Sequence, residues 1–220
     1  VWREEAYQQV ARSLAENPDA GFYSITLPTG MGKTLTAYNA AIQLQNLLAN
    51  KWQEENSNCT PRIIYCLPFT SVIDQNAAIL EENLSADSNM RGELAKHHYL
   101  ADWTDYKGDR DDKLQYSEKE YLVEGWEYTI TVTTFVQILE TIVSNRNRKL
   151  RKFHNLANAI IVLDEVQSIA PKYFNLVSRL FVLLHEQLGT RFMFVTATQP
   201  LLMNPADGHE VIELTDPTKA

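Results

Sequence analysis

Two short stretches about 130 residues apart carry the residue types of phosphate chemistry. The first is Leu27-Pro28-Thr29-Gly30-Met31-Gly32-Lys33-Thr34. Gly30 and Gly32 let a backbone curl so that its N–H groups point inward at an anion, and a helix starting there adds partial positive charge. Lys33 is the cation for the β- and γ-phosphates of a nucleotide, and the Thr34 hydroxyl suits Mg²⁺. Thr29 and Met31 complete the loop. The general pattern G-x-x-x-x-G-K-[ST] has glycine where this chain has Leu27, so only its second half is kept. The second stretch is Ala159-Ile160-Ile161-Val162-Leu163-Asp164-Glu165-Val166-Gln167, an apolar run that delivers two adjacent carboxylates. Asp164 can hold Mg²⁺, directly or through water, while Glu165 polarises the water that attacks the γ-phosphate. Alone, an apolar run ending in Asp-Glu is a common pattern. Downstream of a lysine–threonine phosphate loop it becomes a strong one.

The intervening chain supplies the elements that must hold these groups together. Phe22, Tyr23, Ile25 and Leu27 read as a strand running into the glycine loop, and Leu35, Tyr38, Ala41, Ile42 and Leu44 as a helix leaving it to about Asn50. Before them, Trp2, Ala6, Tyr7, Val10 and Leu14 have helical spacing over residues 2–16, broken at Asn17-Pro18. Lys51 to Pro61 reads as a polar loop, and Arg62 to Leu67 as a buried strand. Pro68-Phe69-Thr70-Ser71 follows, where Thr70 or Ser71 can cap the next helix or, equally, offer a hydroxyl to a phosphodiester. Tyr128 to Val132 is β-branched and strand-like, with Thr133-Thr134 capping a helix from Phe135 to Ile142. Tyr173 to Leu184 has a core-facing helical pattern, Arg191 to Val195 is another buried strand ending in Thr196-Ala197-Thr198, and Val211 to Leu214 is one more. Strand and helix periods alternate throughout, which predicts a mostly parallel sheet wrapped by helices.

Composition narrows the class. With 220 residues, 45% of them apolar, the chain can bury a full core as one domain over residues 1–220. A net charge of −8 argues against a surface that holds nucleic acid all over, and confines any such contact to loops. Arg146, Arg148, Lys149, Arg151 and Lys152 form the one basic cluster, read first as a solvated helix end. Cys59 and Cys66 are too few for a disulfide framework and fit reduced thiols in a cytoplasmic protein. No apolar run approaches a membrane span. Residues 86–125 are the least regular and read as an insertion across one end of the sheet. Within it, His97-His98 with Asp102 invites a metal reading; helical spacing would place His98 and Asp102 together, but a third ligand is missing. The chain opens on Val1, which fits a piece of something longer.

The motifs LPTGMGKT, LPFTSVIDQ, TVTTFVQ, IIVLDEVQ and TATQP, in this order, resemble the first RecA-like domain of superfamily 2 helicases. More narrowly they are similar to the CRISPR-associated helicase–nucleases of type I interference systems, through LPFTSVIDQ, the segment around KHHYLAD, FVQILETIVSNRNRKLRKFHNLANAIIVLDEVQ and TATQP. The resemblance implies a three-layer α/β RecA-like P-loop domain that uses ATP and Mg²⁺ to move 3′-to-5′ on single-stranded DNA opened by a guide-RNA surveillance complex. By matching position it implies that Gly30, Gly32, Lys33 and Thr34 bind ATP and magnesium and that Asp164 and Glu165 serve hydrolysis. Gln167, Thr196 and Thr198 would couple hydrolysis to movement, and Pro68, Thr70, Thr133 and Thr134 would touch the DNA. In many such helicases a glutamine before the loop reads adenine; Gln8 or Gln9 is placed for this, or is simply exposed on its helix. Gln167 stands where the family commonly has histidine or aspartate, and keeps a hydrogen-bonding tip without charge.

Two parts that the resemblance would lead one to expect are not in the sequence. A nuclease of the HD type needs a His-Asp dipeptide, which the chain lacks, and a second RecA-like domain, the source of an arginine finger, has no room after Thr198. The expectation is half of a motor. The rival readings are another superfamily 2 translocase in repair or restriction, a nucleotide-binding interaction module without turnover, and a kinase-like phosphotransferase, for which no lid or acceptor pocket is legible.

Overall fold

The computed structural model describes residues 2–28, 32–55, 57, 59–69, 94–96, 124–197 and 209–215. Thr29, Gly30, Met31, Thr70, Thr198, the helix expected after Ser71, and the His97, His98 and Asp102 group lie outside them. Seven described strands form one sheet: β1 (Phe22–Thr26), β2 (Ile63–Leu67), β3 (Leu94–Lys96), β4 (Ile130–Thr134), β5 (Ile160–Asp164), β6 (Arg191–Thr196) and β7 (Val211–Glu213). Their order is β3-β4-β2-β5-β6-β1-β7, and every neighbouring pair is parallel. The described helices of four or more residues in α form are α1 (Trp2–Glu16), α2 (Lys33–Glu54), α3 (Phe135–Val143), α4 (Asn147–Leu150) and α5 (Phe174–Leu188). Parallel strands require crossovers, and helices on both faces of the sheet bury them on both sides. That is why β1, β2, β4 and β5 are buried at every position.

Alternation along each strand divides the core into two layers. Tyr23, Ile25, Tyr65, Val132, Val162 and Met193 pack under α1 and α2, where Ala37, Ala40 and Ala41 face the sheet with side chains that add little bulk. Phe22, Ile64, Ile161, Phe192 and Phe194 pack on the other face, with Ile138 of α3 and Val177, Phe181 and Leu184 of α5. Phe181 stacks on Phe192 with centroids 4.3 Å apart, and Phe22 stacks on Phe192 at 5.7 Å, so one aromatic column ties α5 to the two strands that carry the phosphate loop and its neighbour. Phe181→Ala is expected to lower the unfolding free energy by about 3–5 kcal/mol through lost burial and a residual cavity. Urea unfolding of the two chains measures it, and a loss under about 1 kcal/mol would mean that this column does not anchor α5.

The structure departs from the sequence expectation at several boundaries, each with a local cause. α2 continues past Asn50 to Glu54 because Lys51 Nζ donates to both Asp19 oxygens, at 2.7 and 2.8 Å, and Trp52 packs against the core. β4 runs through Thr134, and Thr134 alone caps α3, its Oγ1 accepting from Gln137 N at 3.4 Å. Residues 94–96, inside the expected insertion, are an edge strand paired to β4, so part of that segment extends the sheet. At its other end Trp126 is fully buried in the α3/α5 layer. The basic cluster is partly consumed by its own domain. Lys149 pairs with Glu140, and Lys152 is buried with Nζ 3.0 Å from Gln137 Oε1 and 4.7 Å above the Trp126 ring. Arg146 and Arg151 stay exposed.

Candidate nucleotide-binding site

In an open parallel sheet the C-terminal strand ends are where ligands bind, and the described site residues gather there. β1 hands over to the phosphate loop through Leu27, whose N–H donates to Thr196 O at 3.1 Å and so continues the β1–β6 pairing one residue beyond the strand. The chain re-enters at Gly32, the N-cap of α2, with φ 83° and ψ 30°. Only glycine adopts that left-handed geometry without a Cβ penalty, so this glycine is fixed by the turn itself. Lys33 and Thr34 then occupy the first turn of α2, with their side chains above the end of β5.

β5 presents the two carboxylates differently. Asp164 is the last strand residue and is buried, while Glu165 leaves the sheet with φ 54° and ψ 47° before a 3₁₀ turn at Val166–Ser168. A left-handed non-glycine residue carries a backbone cost, and here it turns the Glu165 side chain back over the edge. Glu165 Oε1 lies 2.5 Å from Lys33 Nζ, and Glu165 Oε2 accepts from Gln167 Nε2. Gln167 Oε1 in turn accepts from Thr196 Oγ1 at 2.8 Å. A continuous chain of contacts therefore runs from the α2 lysine through the water-activating candidate to the end of β6.

The Asp164 oxygens are unequal. Oδ2 accepts from the Tyr65 phenol at 2.8 Å and from Thr34 Oγ1 at 3.5 Å, whereas Oδ1 is buried with no partner among the described residues. Burial pushes the Asp164 carboxyl above its usual range; the Tyr65 hydrogen bond pulls it back, the Glu165 charge raises it, and the Lys33 charge and the Glu165 backbone N–H lower it. Burial also raises the Tyr65 phenol well above its ordinary value, reinforced by the Asp164 charge, so it stays a protonated donor. An orphaned buried carboxylate oxygen beside a threonine hydroxyl fits a hard divalent cation, and Mg²⁺ takes one or two protein oxygens together with phosphates and waters. Thr34 and Asp164 are the residues that would hold it.

Other expected contacts fall as follows. Gln8 is exposed on α1, and Pro68 is half-buried just past β2, beside exposed Phe69. Thr134 is nearly enclosed and engaged as a cap. Thr133 is 0% exposed, on the face of β4 toward the α3/α5 layer, so its side chain is enclosed. Two positions were missed by the sequence reading. Tyr65 had a signal, a polar-tipped aromatic near the end of an otherwise apolar strand. Glu213 had none. It accepts from Ser24 Oγ (2.8 Å), Thr26 Oγ1 (2.9 Å), Thr26 N (3.1 Å) and Thr215 Oγ1 (2.6 Å), pinning β7 to the end of β1 just before the loop.

A parallel α/β/α sheet with a phosphate loop after its β1 strand and an acid pair after β5 defines a RecA-like nucleotide-binding domain. Residues 5–204 match the DEAD/DEAH box helicase family, and the chain belongs to it. It is similar to the CRISPR-associated nuclease/helicase Cas3 of Haloferax volcanii, 33% identical over 198 residues that cover 87% of this chain and 20% of that protein. Among solved structures it resembles T. fusca Cas3 (24% identity, TM-score 0.62, 86% of this chain and 20% of that one). It also resembles the DUF1998 helicase MrfA bound to DNA (15% identity, TM-score 0.55, 98% and 27%). At such identities these likenesses speak for the fold. The resemblance to the first RecA-like domain of Cas3-like helicases thus holds in sequence and in architecture, and the chain spans about one fifth of the length of the Cas3 proteins it matches.

Proposed function

We propose that this chain is the ATP·Mg²⁺-binding half of a single-stranded DNA translocase that acts in CRISPR interference. The observation that carries the reading is the contact chain Lys33–Glu165–Gln167–Thr196 at the C-terminal edge of the sheet, with the orphaned Asp164 Oδ1 beside it. In this reading Lys33 exchanges Glu165 for the β- and γ-phosphates, with Gly30 and Gly32 supplying backbone N–H groups. Glu165, released from the lysine, orients the attacking water and takes its proton. Mg²⁺ held by Thr34 and Asp164 would neutralise charge on the phosphates. Gln167 reports the state of Glu165 to Thr196, and with Thr198 this link passes to the DNA track, to which Pro68, Thr70 and Thr134 contribute. Gln8 remains the candidate for adenine.

The ATP-bound T. fusca Cas3 structure, at 21% identity and TM-score 0.59, supports the fold of such a site, and the Haloferax relative supports the CRISPR setting. A guide-RNA surveillance complex, an HD nuclease and a second RecA-like domain would be the partners in the longer protein. No described helix is long and apolar enough to cross a membrane. Cys59 is exposed and Cys66 buried, both free.

Lys33→Ala tests the assignment. Hydrogen bonds to charged groups contribute about 1.5–3 kcal/mol, so ATP affinity should fall roughly 10- to 150-fold. Calorimetry on the folded variant reads it directly, and unchanged affinity would remove the phosphate-loop assignment.

A further inference from the structure

Tyr65 sits one strand away from the acid pair and touches it. β2 lies beside β5 with Tyr65 opposite Val162 and Cys66 opposite Leu163, which brings the phenol of Tyr65 up to the last residue of β5. The ring belongs to the layer under α2 and is fully buried, so packing on both sides restricts its rotation. Its O–H donates to Asp164 Oδ2 at 2.8 Å. The only other contact of that oxygen among the described residues is Thr34 Oγ1, at 3.5 Å, near the limit of a useful hydrogen bond.

A pair built only for the core would leave neither oxygen of a buried carboxylate bare, because an unsatisfied buried acceptor costs about 1–3 kcal/mol and more when charged. Here one oxygen is bound firmly and the other is left without a donor. A side chain of this kind is free to rotate about its last bond unless one oxygen is held. Among the described side chains, the phenol is the one within close hydrogen-bond distance.

We propose that Tyr65 is a positioning residue: by binding Asp164 Oδ2 it fixes the carboxylate plane so that Oδ1 is presented to the divalent cation of the bound nucleotide. The inference rests on the Mg²⁺-nucleotide reading above. Without the phenol O–H the carboxylate can turn toward Thr34, and the cation then meets a ligand that must be reoriented on binding. Phosphate binding by Lys33 and the loop backbone does not pass through Tyr65. The effect is therefore confined to the metal.

The test uses the 220-residue chain and a fluorescent ADP analogue, titrated in EDTA and across a range of Mg²⁺ concentrations. Partners that orient a metal ligand are typically worth about 10–100-fold in metal affinity. For Tyr65→Phe, the Mg²⁺ concentration giving half of the metal-dependent gain should rise by that factor, with affinity in EDTA unchanged. Tyr65→Met removes the same donor with a flexible apolar chain and should shift the midpoint alike, provided thermal unfolding in EDTA shows both variants folded. In an Asp164→Asn background, Tyr65→Phe should produce no further change, because its action runs through that carboxylate. An unchanged midpoint in both Tyr65 variants, or an equal loss in EDTA and in Mg²⁺, overturns the proposal and makes Tyr65 a packing residue. A wild-type chain with no metal-dependent gain at all overturns the Mg²⁺ reading itself, which is a different result.

Discussion

Glu165→Gln is expected to lower ATP turnover about 10²–10⁴-fold while nucleotide affinity holds or tightens, measured in a form that includes a second RecA-like domain. Glu165 is bonded on both sides, by Lys33 at Oε1 and by Gln167 at Oε2. A glutamine carbonyl can still accept from Lys33, but an amide cannot take a proton from water. The loss therefore falls on the transition state. Removing the negative charge also weakens the competitor that the phosphates must displace from Lys33, so the ground state is not penalised. Gln167→Ala should part company with it. Basal hydrolysis is retained, because Gln167 neither holds phosphate nor activates water, but stimulation by DNA falls because the bridge to Thr196 is cut. Phosphate release with and without single-stranded DNA, alongside a nucleotide titration, separates the two. Wild-type stimulated rates in both variants would show that the network does not serve hydrolysis.

Most of the fold is written in the periodicity of the chain. β2 and β5 are buried on both faces and read as near-continuous apolar runs, and β1 and β6 are mostly apolar with Ser24, Thr26, Arg191 and Thr196 as exceptions. The sheet they build was legible from those runs and the helical patterns between them. α1 was legible to the residue because Asn17-Pro18 stops it. What local sequence does not carry is pairing across distance. α2 outruns its apolar pattern as Trp52 packs against the core and Lys51 pairs with Asp19 in the turn before β1. Leu94–Lys96 is a strand only because β4 has an open edge. The site divides in the same way. Lys33, Thr34, Asp164 and Glu165 announce themselves by motif, since phosphate chemistry restricts which residues serve. Tyr65 carries only the faint signal of a polar-tipped aromatic in an apolar strand, and its partner, like the whole role of Glu213, is visible only once β2 lies beside β5 and β7 beside β1. Thr133 was read with Thr134 as a helix cap, but strand alternation turns its side chain into the α3/α5 layer and leaves the cap to Thr134.

The isolated chain is expected to bind ATP weakly and hydrolyse it barely, with little response to single-stranded DNA. Phosphoryl transfer depends on positioning and on stabilising charge that develops around the γ-phosphate, and an arginine supplied across a cleft is worth about 10³–10⁵ in rate. Lys33 is the described cation at the acid pair. Arg62 pairs with Glu127 at 3.0 Å, Arg191 donates to Gly189 O at 3.1 Å, Lys149 pairs with Glu140, and Lys152 is enclosed against Trp126, so each is engaged by partners other than the acid pair. The negative net charge adds no general affinity for a phosphodiester chain. A translocase that clamps DNA between two domains would also have only one wall of its track here. Joining a second RecA-like domain, with or without a nuclease domain, should therefore raise both the basal rate and its stimulation by DNA. Steady-state phosphate release by the 220-residue chain and by the longer form, each with and without single-stranded DNA, gives the comparison. A lone chain that turned over briskly and rose several-fold with DNA would mean that it supplies its own transition-state cation, and the proposal that it is half of a two-domain motor would fall.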